Sequence, residues 1–401
     1  MPLSVLAYHD MEVTISYGSD KKALTLRSDQ YVFKKGEPLD VVLDELKPDT
    51  RYFYRFSEDK ETRTFHTQRS PGSTFTFTVT ADPHLDRNTS PELYAITLRN
   101  ALADRPDFHI DLGDTFMTDK YRNDYHEAAK QYLAQRYYFG LLCHSAPLFP
   151  VLGNHDCEAG RRNDMSDWSN RMRTTYYPNP IPDGFYSGNA AKAVENYYAR
   201  EWGDALFVVL DPFWYTEIRS GGNDGWSRTS GNEQYRWLKN TLMQSDERFK
   251  FVFSHHLVGG NDRNARGGIE AVPYFDWGGR NRDGSRDFSA QRPGWEIPIH
   301  ELLKKTRVSI VFHGHDHFFA KRELEGVVYQ LVPQPGHPDG NSSRSAEEYG
   351  YLSGEILDGS GYMRVTVSKK EAVSEFIRSA LSDDERRGHR NGEIVCSYSL
   401  N

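Results

Sequence analysis

The sequence predicts an α/β protein that begins with a small all-β segment. Short alternating strand patterns fill positions 1–70, and from position 74 onward apolar strand-like runs alternate with helical patterns. Most of these later runs end in glycine or in a cluster of Asp, Asn and His. With 401 residues, of which 37% are hydrophobic, the chain can bury one large core and a second, smaller one.

The composition argues against several classes of protein. A formal net charge of −8 gives no basic field, so we expect no binding to a nucleic-acid duplex. No stretch approaches the roughly 20 apolar residues that a membrane span requires. Three cysteines do not make a disulfide framework, and free thiols are predicted, with one bridge left open.

The compartment is left open by the cysteine count. The N-terminal stretch from Met1 to His9 lacks the charged and apolar regions of a signal peptide. We expect a secreted or periplasmic protein whose leader is absent from the sequence given, with a cytoplasmic location left open. The oligomeric state is not predicted.

The segment 1–70 is predicted to form a small β-sandwich. Strand patterns separated by turn-rich pieces occur at 12–17, 39–43, 51–56 and 62–67. The run 43–54 resembles the fibronectin type III pattern of leucine, proline, turn and alternating tyrosines. Only four or five strands can be placed where about seven are needed, so we expect either residues upstream or a reduced domain.

A linker of composition Ser-Pro-Gly-Ser at 70–73 divides the chain into a β domain at 1–70 and a larger domain at 71–401. For the β domain we favour a packing and positioning role, with an adhesion or carbohydrate-binding module as the alternative. The larger domain carries the residues capable of chemistry.

Three strand patterns in succession end in side chains that can bind a metal. The runs 74–80, 108–112 and 148–152 are followed in turn by Asp82 and His84, by Asp114, and by Asn154, His155 and Asp156. A helix with Ser90 as its N-cap and Pro91 in first position is predicted after the first run, and a second helix over 125–133. In α/β sheets ligands bind beyond the carboxyl ends of strands, so these clusters should converge.

Two further strands repeat the pattern. The run 251–254 precedes His255 and His256, and the run 308–312 leads through Gly314 to His315 and His317. Two imidazoles that lie two residues apart can approach a common centre, which suits a pair of adjacent metal ions. The remaining elements are predicted as a strand at 205–211, a helix carrying Tyr235, Leu238 and Leu242, and C-terminal strands at 327–332, 362–367, 371–377 and 393–398.

These blocks together resemble the calcineurin-like metallophosphoesterases over residues 74 to 330. Asp82-x-His84, Gly113-Asp114, Gly153-Asn154-His155-Asp156, His255-His256 and Gly314-His315-x-His317 stand in that family's order. The resemblance implies a four-layer α-β-β-α sandwich, and the preceding β domain resembles the purple acid phosphatase branch. This chain departs from that branch at Met117, where the branch has a tyrosine iron ligand, and at His84, where it has glycine.

The resemblance implies a centre of two metal ions. By the family pattern Asp82, His84, Asp114 and His317 bind one ion, while Asp114, Asn154, His255 and His315 bind the other. Carboxylate, imidazole and amide ligands without a thiolate suit manganese, iron or zinc. The absence of the tyrosine predicts that the centre lacks a tyrosinate–iron colour.

The implied activity is hydrolysis of a small-molecule phosphate monoester, with a metal-bound hydroxide as the nucleophile. A phosphodiesterase acting on nucleotide or glycerol-type diesters remains the alternative, because the same centre serves both reactions. A phosphoesterase-like scaffold without turnover is less favoured, since all the ligand positions are filled.

His155 and Asp156 are the predicted catalytic residues. His155 is expected to protonate the leaving group, with Asp156 orienting and charging its imidazole; a loop-capping role for Asp156 is the alternative. Asn154, His155 and His256 are expected to contact substrate, although His256 is as well explained as a packed histidine. His313 is expected to be buried, and His337 to lie outside the site.

The segment 259–294 is long, lacks periodicity and follows His255 closely, so we expect it to stand over the metal centre. Its polar side chains could then meet substrate anions. The candidates are Asn261, Arg263, Arg266, Arg280 and Arg282. For each of them taken singly, a solvated loop residue is the favoured alternative.

Overall fold

The structure is a computed structural model. It describes residues 1–158, 163–192, 194–216, 225–257, 259–262, 264–338, 343–385 and 388–401. Arg263, one of the candidates named above, lies outside the described residues.

The strands of the N-terminal segment 1–66 are β1 (Pro2–Leu6), β2 (Met11–Val13), β3 (Ile15–Gly18), β4 (Leu26–Arg27), β5 (Tyr31–Phe33), β6 (Pro38–Val42), β7 (Arg51–Phe56) and β8 (Arg63–His66). Those of the larger part are β9 (Phe75–Thr80), β10 (Phe108–Asp111), β11 (Leu148–Pro150), β12 (Ser187–Gly188), β13 (Tyr198–Trp202), β14 (Ala205–Val209), β15 (Phe249–Phe253), β16 (Ile310–His313), β17 (Phe319–Leu324), β18 (Val327–Leu331), β19 (Glu355–Leu357), β20 (Ser360–Val367), β21 (Ala372–Ser379) and β22 (Ile394–Leu400). The α-helices are α1 (Pro91–Ala103), α2 (Ala129–Cys143), α3 (Asp164–Tyr176), α4 (Gly231–Gln244), α5 (Phe275–Gly278), α6 (Phe288–Gln291), α7 (Ile299–Lys305) and α8 (Ser382–Glu385).

Two large sheets face each other at the centre of the larger part. One has the strand order β11-β10-β9-β20-β21-β22, and the other has the order β12-β13-β14-β15-β16-β18-β17-β19. Phe77 of the first sheet lies in edge contact with Phe207 and Phe251 of the second, at ring-centroid distances of 5.1 and 5.3 Å. Helix α1 packs on the outer side of the first sheet and α4 on that of the second. The predicted four-layer α-β-β-α sandwich is confirmed.

The parallel strands of both sheets end at the same edge of the sandwich. Strands β9, β10 and β11 are parallel in the first sheet, and β14, β15, β16 and β18 are parallel in the second. Because their carboxyl ends lie together, the loops that follow β9, β10, β11, β15 and β16 meet. Strands β10, β15 and β16 are wholly buried, and β9 and β11 each have one half-buried residue, so the loops stand on a rigid base.

The segment 1–66 contains eight strands among the described residues, so the predicted count of four or five was too low. The strand predicted at 12–17 is two strands, β2 and β3, and the missed β4 and β5 have only two and three residues. Such short strands carry too little alternation to be recognised. The alternation in β7 is real: Tyr52 and Tyr54 are buried in a separate hydrophobic cluster while Arg51 and Arg55 are exposed.

Polar contacts join this β segment to the larger part. The hydroxyl of Tyr54 donates to the backbone oxygen of His144, and Arg136 donates to that of Ser4. The fibronectin type III likeness and the division at residue 70 stay predictions.

Residues 118–128 form 3-10 turns with a break, so the helix predicted over 125–133 begins only at Ala129. The C-terminal hairpin of β20 and β21 extends the sheet of β9, with β22 at its edge as predicted. The three cysteines, all in described residues, are free thiols. Among the described residues, no helix is long and apolar enough to cross a membrane.

Candidate metal centre

Two groups of side chains converge beyond the strand ends. The first joins Asp82, His84 and His317, and the second joins Asp114, His255 and His315; within each group the ligand atoms lie within 4.8 Å of one another. The clusters that follow β9, β10, β15 and β16 are therefore brought together as predicted.

The first group places a carboxylate oxygen among imidazole nitrogens. Oδ1 of Asp82 lies 3.7 Å from Nε2 of His84 and 3.5 Å from Nε2 of His317. Oδ1 of Asp82 and Nε2 of His84 are buried, yet neither makes a hydrogen bond with any described residue. Buried polar atoms normally have a partner, and a cation between them would provide one. These residues fit a metal ion.

The second group is tighter. Nε2 of His255 lies 3.2 Å from Oδ2 of Asp114 and 3.2 Å from Nδ1 of His315. The amide oxygen of Asn154 lies 3.1 Å from the same Nε2 of His255. Electron pairs from several side chains thus meet around one point, which is the arrangement of a cation site.

Asp114 lies between the two groups. Its Oδ2 is 3.7 Å from Nε2 of His84 in the first group and 3.2 Å from Nε2 of His255 in the second. Its Oδ1 accepts the backbone N–H of His155 at 2.7 Å, which fixes the carboxylate. This position supports the predicted bridging role.

Hydrogen bonds set the tautomers of the second group. Nδ1 of His255 donates to the backbone oxygen of Leu112 at 2.8 Å, and Nε2 of His315 donates to that of Asn264 at 2.6 Å. When such a ring is neutral, as a metal ligand must be, the donation uses its one proton and the opposite nitrogen carries the lone pair. Those nitrogens are the two that face each other in the group, as metal-binding imidazoles require.

The charges around the imidazoles of the centre favour the binding of positive charge. Burial lowers the pKa of His255, but the Asp114 carboxylate outweighs burial and raises it to about 9. Burial likewise opposes the shift at His84, but the Asp114 and Asp82 carboxylates, each 3.7 Å from Nε2, hold its pKa well above the usual range. Burial and the neighbouring charge of His255 lower the pKa of His315 to about 3. A metal cation would displace the protons of His84 and His255.

The pKa values of the two carboxylates are shifted downward, opposite to those of His84 and His255. Burial would raise the pKa of Asp82, but the imidazole of His317, 3.5 Å from Oδ1, holds it well below the usual range. At Asp114 the charges of His255 and His155 likewise overcome burial and lower the pKa. Both carboxylates are therefore ionised and available to a cation.

The backbone of the ligands is strained. Non-glycine residues seldom adopt positive φ, and such residues cluster at functional sites. Five of the predicted ligands do so: Asp82 (56°), His84 (46°), Asp114 (57°), His315 (75°) and His317 (74°). The glycines of two motifs allow neighbouring segments to approach closely. A Cβ on Gly153 would overlap Asp114, and a Cβ on Gly314 would overlap Asp82.

His155 lies beside the centre, with Asp119 as its partner. Nε2 of His155 is 3.9 Å from Oδ2 of Asp114, and its Nδ1 donates to the Asp119 carboxylate at 2.9 Å. The prediction that Asp156 orients His155 is wrong. The Asp156 carboxylate accepts the backbone N–H groups of Gly153, Asp114, Thr115 and Phe116 instead. It caps the loops that carry the ligands, as the alternative reading proposed.

Replacing Asp156 by asparagine should lower the free energy of unfolding by about 2 to 4 kcal/mol, because the amide NH2 would face two buried N–H donors. Urea unfolding monitored by circular dichroism measures this loss. Asp183→Asn is the matched control, since Asp183 accepts two backbone N–H groups at an exposed turn. We expect the control to change stability by less than about 0.5 kcal/mol. Equal stability of the two variants would contradict the capping role.

The other predicted residues lie in different surroundings. His256 is buried next to the centre, with its ring 5.3 Å from that of His315 and in edge contact with Phe213 at 5.0 Å. Its Nδ1 makes no hydrogen bond within the described chain, and burial holds its pKa well below the usual range. His313 is buried in β16, as predicted, and burial lowers its pKa to about 3. The backbone N–H of His337 donates to the hydroxyl of Ser360.

The segment 259–294 does reach the centre, through the bond from His315 to Asn264 described above. Arg282 stacks on Phe275 at 5.3 Å, while the Arg280 backbone forms bridges with Tyr274 and Arg286. Arg266 has a different position, next to Asp316.

Three residues of the site were missed by sequence reasoning: Asp119, Asn264 and Asp316. Asp119 had a usable signal, since it is an acidic side chain in the loop that follows the Gly113-Asp114 cluster. Asn264 acts through its backbone oxygen, which no sequence pattern reveals. Asp316 stood inside the His315-x-His317 motif but was passed over as a spacer.

Comparison with known proteins agrees with this geometry. The family model of the calcineurin-like phosphoesterases matches residues 75–319. A curated relative, "Probable purple acid phosphatase 20" of Arabidopsis thaliana, is 24% identical over 331 residues, which are 78% of this chain and 64% of the relative. This chain thus spans less than two thirds of that protein.

Two solved structures share the fold. A purple acid phosphatase isolated from yellow lupin (Lupinus luteus) seeds superposes with a TM-score of 0.63 at 15% identity, covering 99% of this chain and 71% of that one. A structure of PhoD superposes with a TM-score of 0.62 at 15% identity, covering 92% of this chain and 80% of that one. At such identities the likeness concerns the fold alone.

Proposed function

Because this chain belongs to the calcineurin-like phosphoesterase family, we propose that it is a metal-dependent hydrolase of small phosphate monoesters. The observation that carries the proposal is the pair of ligand groups joined through Asp114, with buried atoms in the first group that lack any partner among the described residues. The phosphatase names of the relatives support monoesters over diesters.

The centre would hold two ions, which we expect to be manganese, iron or zinc. Asp82, His84 and His317 would hold one, while Asn154, His255 and His315 would hold the other, with Asp114 shared. Bound ions would supply the positive charge that phosphoryl transfer needs. The hydrogen bonds from His255 to Leu112 and from His315 to Asn264 orient these two rings before any ion arrives.

His155 would provide the proton that the leaving alkoxide requires. The Asp119 carboxylate accepts from Nδ1 and stabilises the imidazolium, so the proton on Nε2 is the one to be transferred. Nε2 faces Oδ2 of Asp114 and therefore the shared part of the centre. The amide nitrogen of Asn154 donates to no described residue, which leaves it for a phosphoryl oxygen.

A phosphodiesterase remains the second candidate. Nothing in the arrangement of the ligand groups separates it from a monoesterase, because both reactions develop charge on the same phosphoryl oxygens. A scaffold without turnover is disfavoured, since every predicted ligand position is occupied by a side chain that can bind a metal and these side chains lie close together.

Metal removal should abolish turnover, and re-addition should restore it. We expect phenyl phosphate hydrolysis to fall at least about a hundredfold on dialysis against a chelator. Manganese, zinc and iron are then restored one at a time, with bis(4-nitrophenyl) phosphate as the diester comparison. Faster turnover of the diester would favour the phosphodiesterase. If neither ester is hydrolysed in a metal-dependent way, the proposal that the protein is an enzyme is wrong.

A further inference from the structure

The guanidinium of one arginine near the metal centre, Arg266, makes no hydrogen bond with any residue that the structure describes. Arg266 lies two residues after Asn264, whose backbone oxygen accepts from the imidazole of His315. The backbone oxygen of Arg266 in turn accepts from the N–H of Asn261 at 2.6 Å. The arginine is thus tied to a ligand of the second group through a few bonds.

The side chain of Arg266 is held in place by stacking. Its guanidinium lies 3.8 Å from the ring centroid of Tyr349, and its Nε is 3.9 Å from Oδ1 of Asp316. At that distance the Asp316 contact is an ion pair without a hydrogen bond. The guanidinium makes no hydrogen bond to any residue in the described part of the chain, so its planar set of donors remains available.

Asp316 itself is fixed. It is buried, and its Oδ2 accepts the N–H of Gly267 at 3.0 Å and the hydroxyl of Tyr351 at 2.7 Å. The ring of Tyr351 packs edge-on against Phe318, directly after the ligand His317. The frame behind Arg266 therefore belongs to the same rigid segment as the metal ligands.

The side chain of Arg266 is partly exposed, although it contacts Asp316, which stands between the ligands His315 and His317 in the sequence. The Arg266 side chain is 31% exposed, close to the 35% of His317, whereas Asp82 and His255 are fully buried. The charge of the transferred phosphoryl group would be met deeper in, by the metals and by His155. A partly exposed cation beside the segment that carries two of the ligands is available to another part of the substrate.

We propose that Arg266 binds a second anionic group on the leaving group of the substrate, either a carboxylate or a further phosphate. The preferred substrates are then phosphate monoesters of anionic alcohols or phenols. Guanidinium groups bind both oxyanions through paired hydrogen bonds, and stacking on Tyr349 orients the plane in advance. This inference rests on the proposed phosphoesterase activity.

The test compares three substrates that differ in one group: phenyl phosphate, 4-carboxyphenyl phosphate and 1,4-phenylene bisphosphate. Wild-type enzyme should prefer one or both anionic substrates by about tenfold in kcat/KM, and Arg266→Gln should remove that preference mainly through KM. Which of the two is preferred distinguishes carboxylate from phosphate. Arg286→Gln, an exposed arginine of the same segment, is the charge-matched control and should keep the wild-type pattern.

The outcomes separate this inference from the proposed function. If wild type hydrolyses all three esters and Arg266→Gln slows them equally, Arg266 only stabilises the position of Asp316. The inference is then overturned, while the proposed phosphoesterase activity stands. If Arg266→Gln folds poorly, Arg266→Lys is tested instead. Lysine keeps the positive charge but lacks the paired donors of the guanidinium, so this variant should lose about half of the preference for anionic substrates on a logarithmic scale. A wild-type enzyme that hydrolyses none of the esters overturns both.

Discussion

Replacing Asp114 by asparagine should lower turnover of phosphate esters by about a thousandfold or more. The change removes one negative charge at the carboxylate shared by the two groups, where Oδ2 lies 3.2 Å from His255 and 3.7 Å from His84. Asparagine keeps the shape and an oxygen that can still accept the backbone N–H of His155. The loss should therefore reflect metal binding and charge, with the fold retained.

Metal content and turnover are measured on the same preparation of the Asp114 variant. We expect fewer bound ions per chain than in wild type by elemental analysis, with unchanged near-ultraviolet circular dichroism. Asp283→Asn, at an exposed turn, is the control for the lost charge. A variant that retains two metal ions and more than a tenth of wild-type turnover would show that Asp114 is not the shared ligand.

The ligand positions could be predicted from sequence because they depend on two robust features. Buried strands are recognisable as apolar runs, and the residues that follow parallel strands must meet at one edge of a sheet. Asp82, Asp114 and His255 were placed by this rule, and the family pattern divided the ligands between two ions. The structure adds what no pattern shows, namely left-handed backbone at five of the ligand positions.

The roles of neighbouring polar residues could not be predicted in the same way. Asp156 is adjacent to His155 in sequence, but its carboxylate turns back to four backbone N–H groups, and the contact comes from Asp119. The position of Asp119 depends on the 3-10 turns of 118–128, which break at Arg122 and Asp124. Such irregular backbone has no period, so its side-chain directions cannot be read from spacing.

The β segment illustrates a second limit. Four strands were found because β3, β6, β7 and β8 contain enough residues to show alternation, whereas β2, β4 and β5 have three residues or fewer. β1 has five residues, but its sequence does not alternate between apolar and polar positions. A local sequence pattern does not predict a strand that forms because of pairing with neighbouring strands rather than because of its own β propensity.

Replacing His155 by glutamine should slow hydrolysis of phenyl phosphate by about a hundredfold, but that of 4-nitrophenyl phosphate by less than about tenfold. Phenolate is the more basic leaving group and needs a proton in the transition state, whereas 4-nitrophenolate leaves readily without one. The ratio of the two effects measures proton donation directly. His9→Gln, an exposed histidine of the β segment, is the control for the substitution itself.

Asp119→Asn extends the same test to the partner of His155. Loss of the carboxylate removes the support for the imidazolium while leaving the ring in place, so we expect the same dependence on the leaving group with a smaller loss, about tenfold for phenyl phosphate. Metal content should remain at the wild-type level in both variants, because neither residue belongs to the two ligand groups. Equal losses on the two esters, or loss of bound metal, would assign His155 to substrate or metal binding instead of proton transfer.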